Sequence, residues 1–173
     1  VRIIYSLHGA QQAGPDWPNK GFDFAPVMDR ITSELTQQCP GFEFATSLAT
    51  GPEQATKILE EDKGKAIDGY LVYQMNCWNR VVQTIAASGK PVLYADFQFG
   101  GSGGFLVYTA GFLRSQAPNV GFVASSEIKD LVAAVKCFEG VKQGGSVANF
   151  VAATAQARTK RTPKTGTLAC QAD

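Results

Sequence analysis

Apolar residues reach this chain in short runs separated by helically spaced stripes. Residues 2–7 (RIIYSL), 70–73 (YLVY), 92–95 (VLYA) and 119–124 (NVGFVA) are compact apolar runs that read as buried strands. Residues 42–48 (FEFATSL) alternate apolar and polar side chains, predicting a strand with a less buried face. Helical spacing fills the gaps. Val27, Ile31 and Leu35 mark a helix over 24–39, and Ala55, Ile58 and Leu59 mark one ending near Asp62. Val81, Val82, Ile85 and Ala86 mark a third. Ile128, Leu131, Val132 and Val135, with Phe138 a turn later, mark another. Residues 105–114 and 147–157 also read as helices. Asp23 and Ser125 or Ser126 are candidate caps, while Pro40-Gly41, Gly89 and Gly144-Gly145 are stops.

Strands alternating with helices predict an α/β fold, a flavodoxin-like three-layer sandwich. Its five-stranded parallel sheet should run in the order 2-1-3-4-5, with right-handed crossovers. Residues 1–143 make up this domain. Residues 144–173 read as a short helix and a basic linker, or a severed connection to a further domain, because RTKRTPK follows the last apolar stripe. Ligands of such sheets bind beyond the carboxyl ends of the strands, near the switch point. The loops after strands one, three and four should share that rim.

Those loops carry the candidate chemistry. The first offers His8, Gln11, Gln12, Asp16, Trp17 and Asn19. The third offers Gln74, Asn76, Trp78, Asn79 and Arg80. Amides carry both donors and acceptors and suit hydroxyl-rich ligands, and a Trp ring suits an apolar face. Asn76 reads equally as the cap of the following helix. Asp96 and Gln98 open the fourth loop, which continues as Gly100-Gly101-Ser102-Gly103-Gly104. Such a glycine run suits an anion at a helix N-terminus, such as phosphate or a flavin phosphate, or a hinge. It lacks the Lys-Ser/Thr of a P-loop. It spells G-x-S-x-G formally, yet lies past the tight turn a nucleophile elbow needs.

Composition narrows the classes. The chain has 173 residues, 45% hydrophobic and 18% charged, with a formal net charge of +1. That balance favours neither nucleic acid nor an anionic membrane. No apolar run is long enough for a bilayer helix, and no signal-peptide pattern opens the chain. A cytoplasmic location is expected. The chain starts without Met, through removal of a leader or because it lies inside a longer protein. Cys39, Cys77, Cys137 and Cys170 lack the C-x-x-C spacing of zinc or redox sites and read as free thiols. With one histidine, His8, no metal-ligand cluster is visible.

Asp68-Gly69 before the third strand, Lys90-Pro91 before the fourth, Gln98-Phe99 after it and Gln11-Gln12 in the first loop form a pattern. It resembles the N-terminal domain of the L-fucose/L-arabinose isomerase family. The resemblance implies a flavodoxin-like domain of a larger homo-oligomeric enzyme that interconverts aldoses and ketoses through an enediol. Such enzymes use paired carboxylates and a divalent metal, usually manganese, held by downstream catalytic domains. The N-terminal domain supplies substrate contacts, here expected from Gln11, Gln12, Trp17, Asn76, Trp78 and Gln98. The resemblance thus implies a sugar substrate and no catalysis by this chain alone. A stand-alone binding module and a structural assembly domain are the alternatives.

Overall fold

The computed structural model describes residues 1–14, 17–97 and 99–161. Five parallel strands, β1 (Arg2–Ser6), β2 (Ala45–Ala49), β3 (Tyr70–Gln74), β4 (Val92–Asp96) and β5 (Val120–Val123), form one sheet. Their order is β2-β1-β3-β4-β5, as the alternation of elements predicts. Ser6, Gln74 and Asp96 fall in register, Ser6 against Gln74 and Gln74 against Asp96. The loops after β1, β3 and β4 therefore leave one rim, side by side.

The side-chain period of two divides the core. Ile3, Tyr5, Leu71, Leu93, Ala95 and Val123 face α1 (Ala25–Gln38), α5 (Ile128–Lys136) and α6 (Phe138–Lys142). Ile4, Tyr70, Val72, Val92, Tyr94 and Val120 face α2 (Pro52–Glu61), α3 (Val81–Ala86) and α4 (Ser102–Arg114). A buried ion pair, Arg2 with Asp62, ties β1 to the end of α2 at the opposite rim.

Several boundaries differ from the predicted ones, each for a packing reason. β2 begins at Ala45, because Phe42 and Phe44 stack on each other at 5.8 Å and turn into the core. Asp23 accepts from the Ala25 N–H at 2.9 Å, but the helix cap is Phe24. The helix expected through Phe138 is interrupted at Cys137, giving α5 and α6. The largest correction concerns the division at residue 143. Helix α7 (Val147–Arg161) is part of the same domain. Its Phe150 is buried and stacks on Phe138 at 4.5 Å, and Thr154 is buried against Gly121 of β5. A Cβ at Gly121 would stand 2.4 Å from Thr154 Oγ1. Arg158, expected in a linker, lies 3.7 Å over the Phe122 ring and donates to the Phe122 carbonyl at 2.8 Å. This side chain satisfies a carbonyl on the sheet's outer edge. Residues 162–173, with the rest of the basic segment and Cys170, lie outside the described residues; Cys39, Cys77 and Cys137 are free thiols. No helix among the described residues is long and apolar enough to cross a membrane.

Candidate functional site

The rim is held together from below by one buried amide. Asn76 lies two residues past the end of β3 and is fully buried. Its Oδ1 accepts from the His8 N–H at 2.9 Å, and its Nδ2 donates to Gln12 Oε1 and to the Trp17 carbonyl, each at 3.1 Å. Asn79 extends the network inward. Its Oδ1 accepts from Ser6 Oγ at 2.7 Å and from the Val81 N–H at 3.4 Å, at the start of α3. The Gln74 amide donates to the Asn76 carbonyl and accepts from Tyr94 Oη at 2.9 Å. Exposed His8 donates from Nε2 to the Cys77 carbonyl at 2.7 Å. The amides that read as ligand contacts thus join loops: Gln12, Asn76 and Asn79 are buried beneath the rim. Gln11 is exposed and bridges to Asp23.

The glycine run is a loop only as far as Gly101. Ser102, Gly103 and Gly104 are the first turn of α4. A Cβ on Gly100 would meet the Met75 carbonyl at 2.6 Å, and one on Gly101 the Gln74 carbonyl at 2.1 Å. At Gly104 it would lie 3.1 Å from the Cys77 Cα. The missing side chains let α4 press against the segment after β3. The Gly100 and Gly101 N–H groups donate to the Phe97 carbonyl at 3.0 Å, and that of Gly104 to Cys77 Sγ at 3.2 Å. These donors are taken inside the protein, which weakens the case for an anion cradle.

Two adjoining cavities open on the rim. The first, about 310 Å³, is the more polar of the two and is bounded by Arg30 and Glu34 of α1, Tyr73, Asp96 and Ser125, with Ile31, Phe99 and Leu131 as its apolar wall. The second, about 730 Å³, is an apolar bowl of Trp17, Phe22, Phe97 and Phe99, with Cys77 and Gly103 on its wall. Arg30, Phe97 and Phe99 belong to both. Phe97 is buried and meets Phe24, Tyr73 and Phe99 at ring separations of 6.2, 6.4 and 5.5 Å.

Asp96 is the chemical centre of the polar cavity. It is 8% exposed; Ser102 Oγ donates to its Oδ2 at 3.1 Å, while Oδ1 is buried with no partner among the described residues. Burial pushes its carboxyl above the ordinary value, against the opposing Ser102 hydrogen bond. Burial also pushes the Tyr73 phenol up to about 12, so it keeps its proton at neutral pH. The sequence pattern does not reveal Arg30, Glu34, Tyr73 or Ser125 as site residues. The signal available was that Ser125 follows β5, whose carboxyl end shares the rim.

Other expected residues lie elsewhere. Trp78 stands on the α4 side, outside both cavities, with its ring edge-on to Tyr108 at 6.0 Å. Trp78 and Arg80 have positive φ, 63° and 58°, a conformation that costs roughly 1–3 kcal/mol per non-glycine residue. Gln98 and Asp16 lie outside the described residues. Among the described residues, no group of three His, Cys, Asp or Glu side chains could hold a metal ion.

No protein-family model and no curated protein matches the sequence. Among solved structures, a de novo designed Rossmann 2x3 fold protein, determined by solution NMR, is similar at 15% identity. Its TM-score is 0.46, over 84% of this chain and 93% of the design.

Proposed function

We propose that the carboxyl rim binds a small polyhydroxylated ligand, and that the chain serves as the substrate-contact domain of an aldose–ketose isomerase-like protein. The Asp96 carboxyl carries this reading: it stands in the wall of the polar cavity, and its buried Oδ1 has no partner among the described residues. A buried acceptor without a donor costs roughly 1–3 kcal/mol, which a ligand hydroxyl would offset once the carboxylate turns that oxygen towards the cavity. Arg30 and the Tyr73 hydroxyl add donors, Ser125 adds a donor and an acceptor, and the Phe99 ring offers an apolar face for the C–H side of a sugar. Enediol chemistry needs a base and an electrophile held together, and the described residues do not fit a divalent metal. In this reading catalysis belongs to another domain or subunit. The phosphate or flavin alternative is weaker, because the N–H groups of Gly100, Gly101 and Gly104 have internal acceptors.

Titration calorimetry and ligand-observed NMR with L-fucose, L-arabinose, their ketoses and the matching polyols test the proposal. Millimolar binding that weakens at least tenfold in Asp96→Ala is expected. Absence of binding by every sugar and polyol, or equal binding by the variant, removes the polyol reading.

A further inference from the structure

The outer face of α4 differs from the outer faces of α1, α2 and α5. Leu106 is 66% exposed, Val107 50% and Leu113 60%, with Gly103 and Ala110 beside them. Spacings of three, four and seven residues put all five on one stripe of the helix. Trp78, 60% exposed and edge-on to Tyr108, flanks the stripe. Arg114, in the last turn, is the sole charged residue of α4. The other three helices carry exposed charges, such as Asp29 and Arg30, Glu53 and Lys57, or Lys129. An apolar patch of this kind marks a contact surface.

We propose that this face pairs with the same face of a second copy of the chain, antiparallel, about a two-fold axis that crosses the stripe at the level of residue 108. Three observations select a second copy as occupant. The face is self-complementary in register: reflecting the numbering about 108 sets Leu106 over Ala110 of the second copy and Gly103 over its Leu113. Large residues thus meet small ones at both ends, and one patch serves both copies, as in an isologous contact. An uncharged stripe also suits an uncharged partner, and antiparallel helices oppose their dipoles favourably. Finally, the area matches a reversible contact. The stripe and its flanks bury on the order of 500 Å² per protomer, below the roughly 800 Å² of a standard interface. Dimers therefore form reversibly as concentration rises. Because Gly103 also lines the apolar bowl, Leu113 of the second copy comes to the edge of that cavity. This pairing does not depend on the polyol reading.

Sedimentation equilibrium and light scattering on the full chain test it. The average mass should rise with concentration from 18.5 kDa towards twice that value and stop there. A variant with Leu106→Glu and Ala110→Glu, and another with Leu106→Lys and Ala110→Lys, should each stay monomeric. Mixed one to one, they should associate, because the register sets position 106 of one copy against position 110 of the other and so faces each glutamate with a lysine. Circular dichroism melting checks that both variants remain folded. A constant mass at the highest attainable concentration overturns the proposal. So does association that survives the double glutamate, growth beyond two chains, or failure of the folded variants to associate on mixing.

Discussion

Replacing Asn76 tests whether the rim is one connected unit. Its side chain satisfies the His8 N–H, Gln12 Oε1 and the Trp17 carbonyl from a fully buried position. Alanine leaves the buried Gln12 oxygen without a donor and the His8 amide without an acceptor. At roughly 1–3 kcal/mol per buried group left unpaired, and allowing for water entry, Asn76→Ala should cost about 2–4 kcal/mol. That is a large share of the roughly 5–15 kcal/mol that holds a typical domain folded. Asn76→Asp should cost at least as much. It keeps the acceptor for His8 but turns a carboxylate oxygen towards Gln12 Oε1 and the Trp17 carbonyl. Urea denaturation followed by far-ultraviolet circular dichroism gives the loss. Native-state hydrogen exchange locates it: the loop bonds from Gln12 to Phe22, Gly21 to Gln12 and Phe24 to Ala10 should lose more protection than the strands. A loss below about 1 kcal/mol in both variants, or unchanged loop protection, would refute the reasoning.

Other substitutions separate the remaining claims. Gly101→Ala pushes a methyl to 2.1 Å from the Gln74 carbonyl and should cost about 3 kcal/mol. Gly111→Ala, with open space around the new Cβ in the same helix, should gain about 0.5–1 kcal/mol. Thermal melts of the pair read the contrast. Phe150→Ala should cost about 3–5 kcal/mol if α7 belongs to the core, measured by urea midpoint at an unchanged slope. The Asp96 carboxyl is held above its ordinary value of 3.8, so the folded state binds that proton more tightly than the unfolded state. This group therefore adds stability as pH falls from its raised value towards 3.8, and withholds it at neutral pH. Asp96→Asn should lack that gain, and stability profiles of both proteins from about pH 7 to about pH 4 show it as a flatter curve for the variant.

The sheet was legible because buried parallel strands write nearly continuous apolar runs, as at Tyr70–Gln74 and Val92–Asp96. The edge position of β2 was visible in its alternation. The start of α4 was not: its glycines argue for a loop, and the close approach of Gly104 to Cys77, with Gly100 and Gly101 against the Met75 and Gln74 carbonyls just before the helix, is visible only in the fold. Helix α7 was hidden as part of the domain because its small residues make no strong stripe; Phe150, Thr154 and Arg158 reveal their role only against α6 and β5. Polarity misleads most at Asn76, since a buried loop-tying amide and a ligand-binding amide have the same sequence signature. Arg30 and Glu34 flank the inner stripe of α1 and become site residues only once α1 stands beside the segment after β5.

With no room for a methyl group between the α4 start and the segment after β3, and Gln12 and Trp17 tied to Asn76, the backbone at these points of the opening has little freedom to swing. Exposed side chains, Phe99 and Arg30, stand at the opening instead. Rotamer changes of such groups take picoseconds to nanoseconds, whereas hinged lids take microseconds to milliseconds. Ligand entry and exit should therefore be ungated on the slower scale: titrated resonances should shift continuously as population averages, and relaxation dispersion at the rim should stay flat in the unliganded protein.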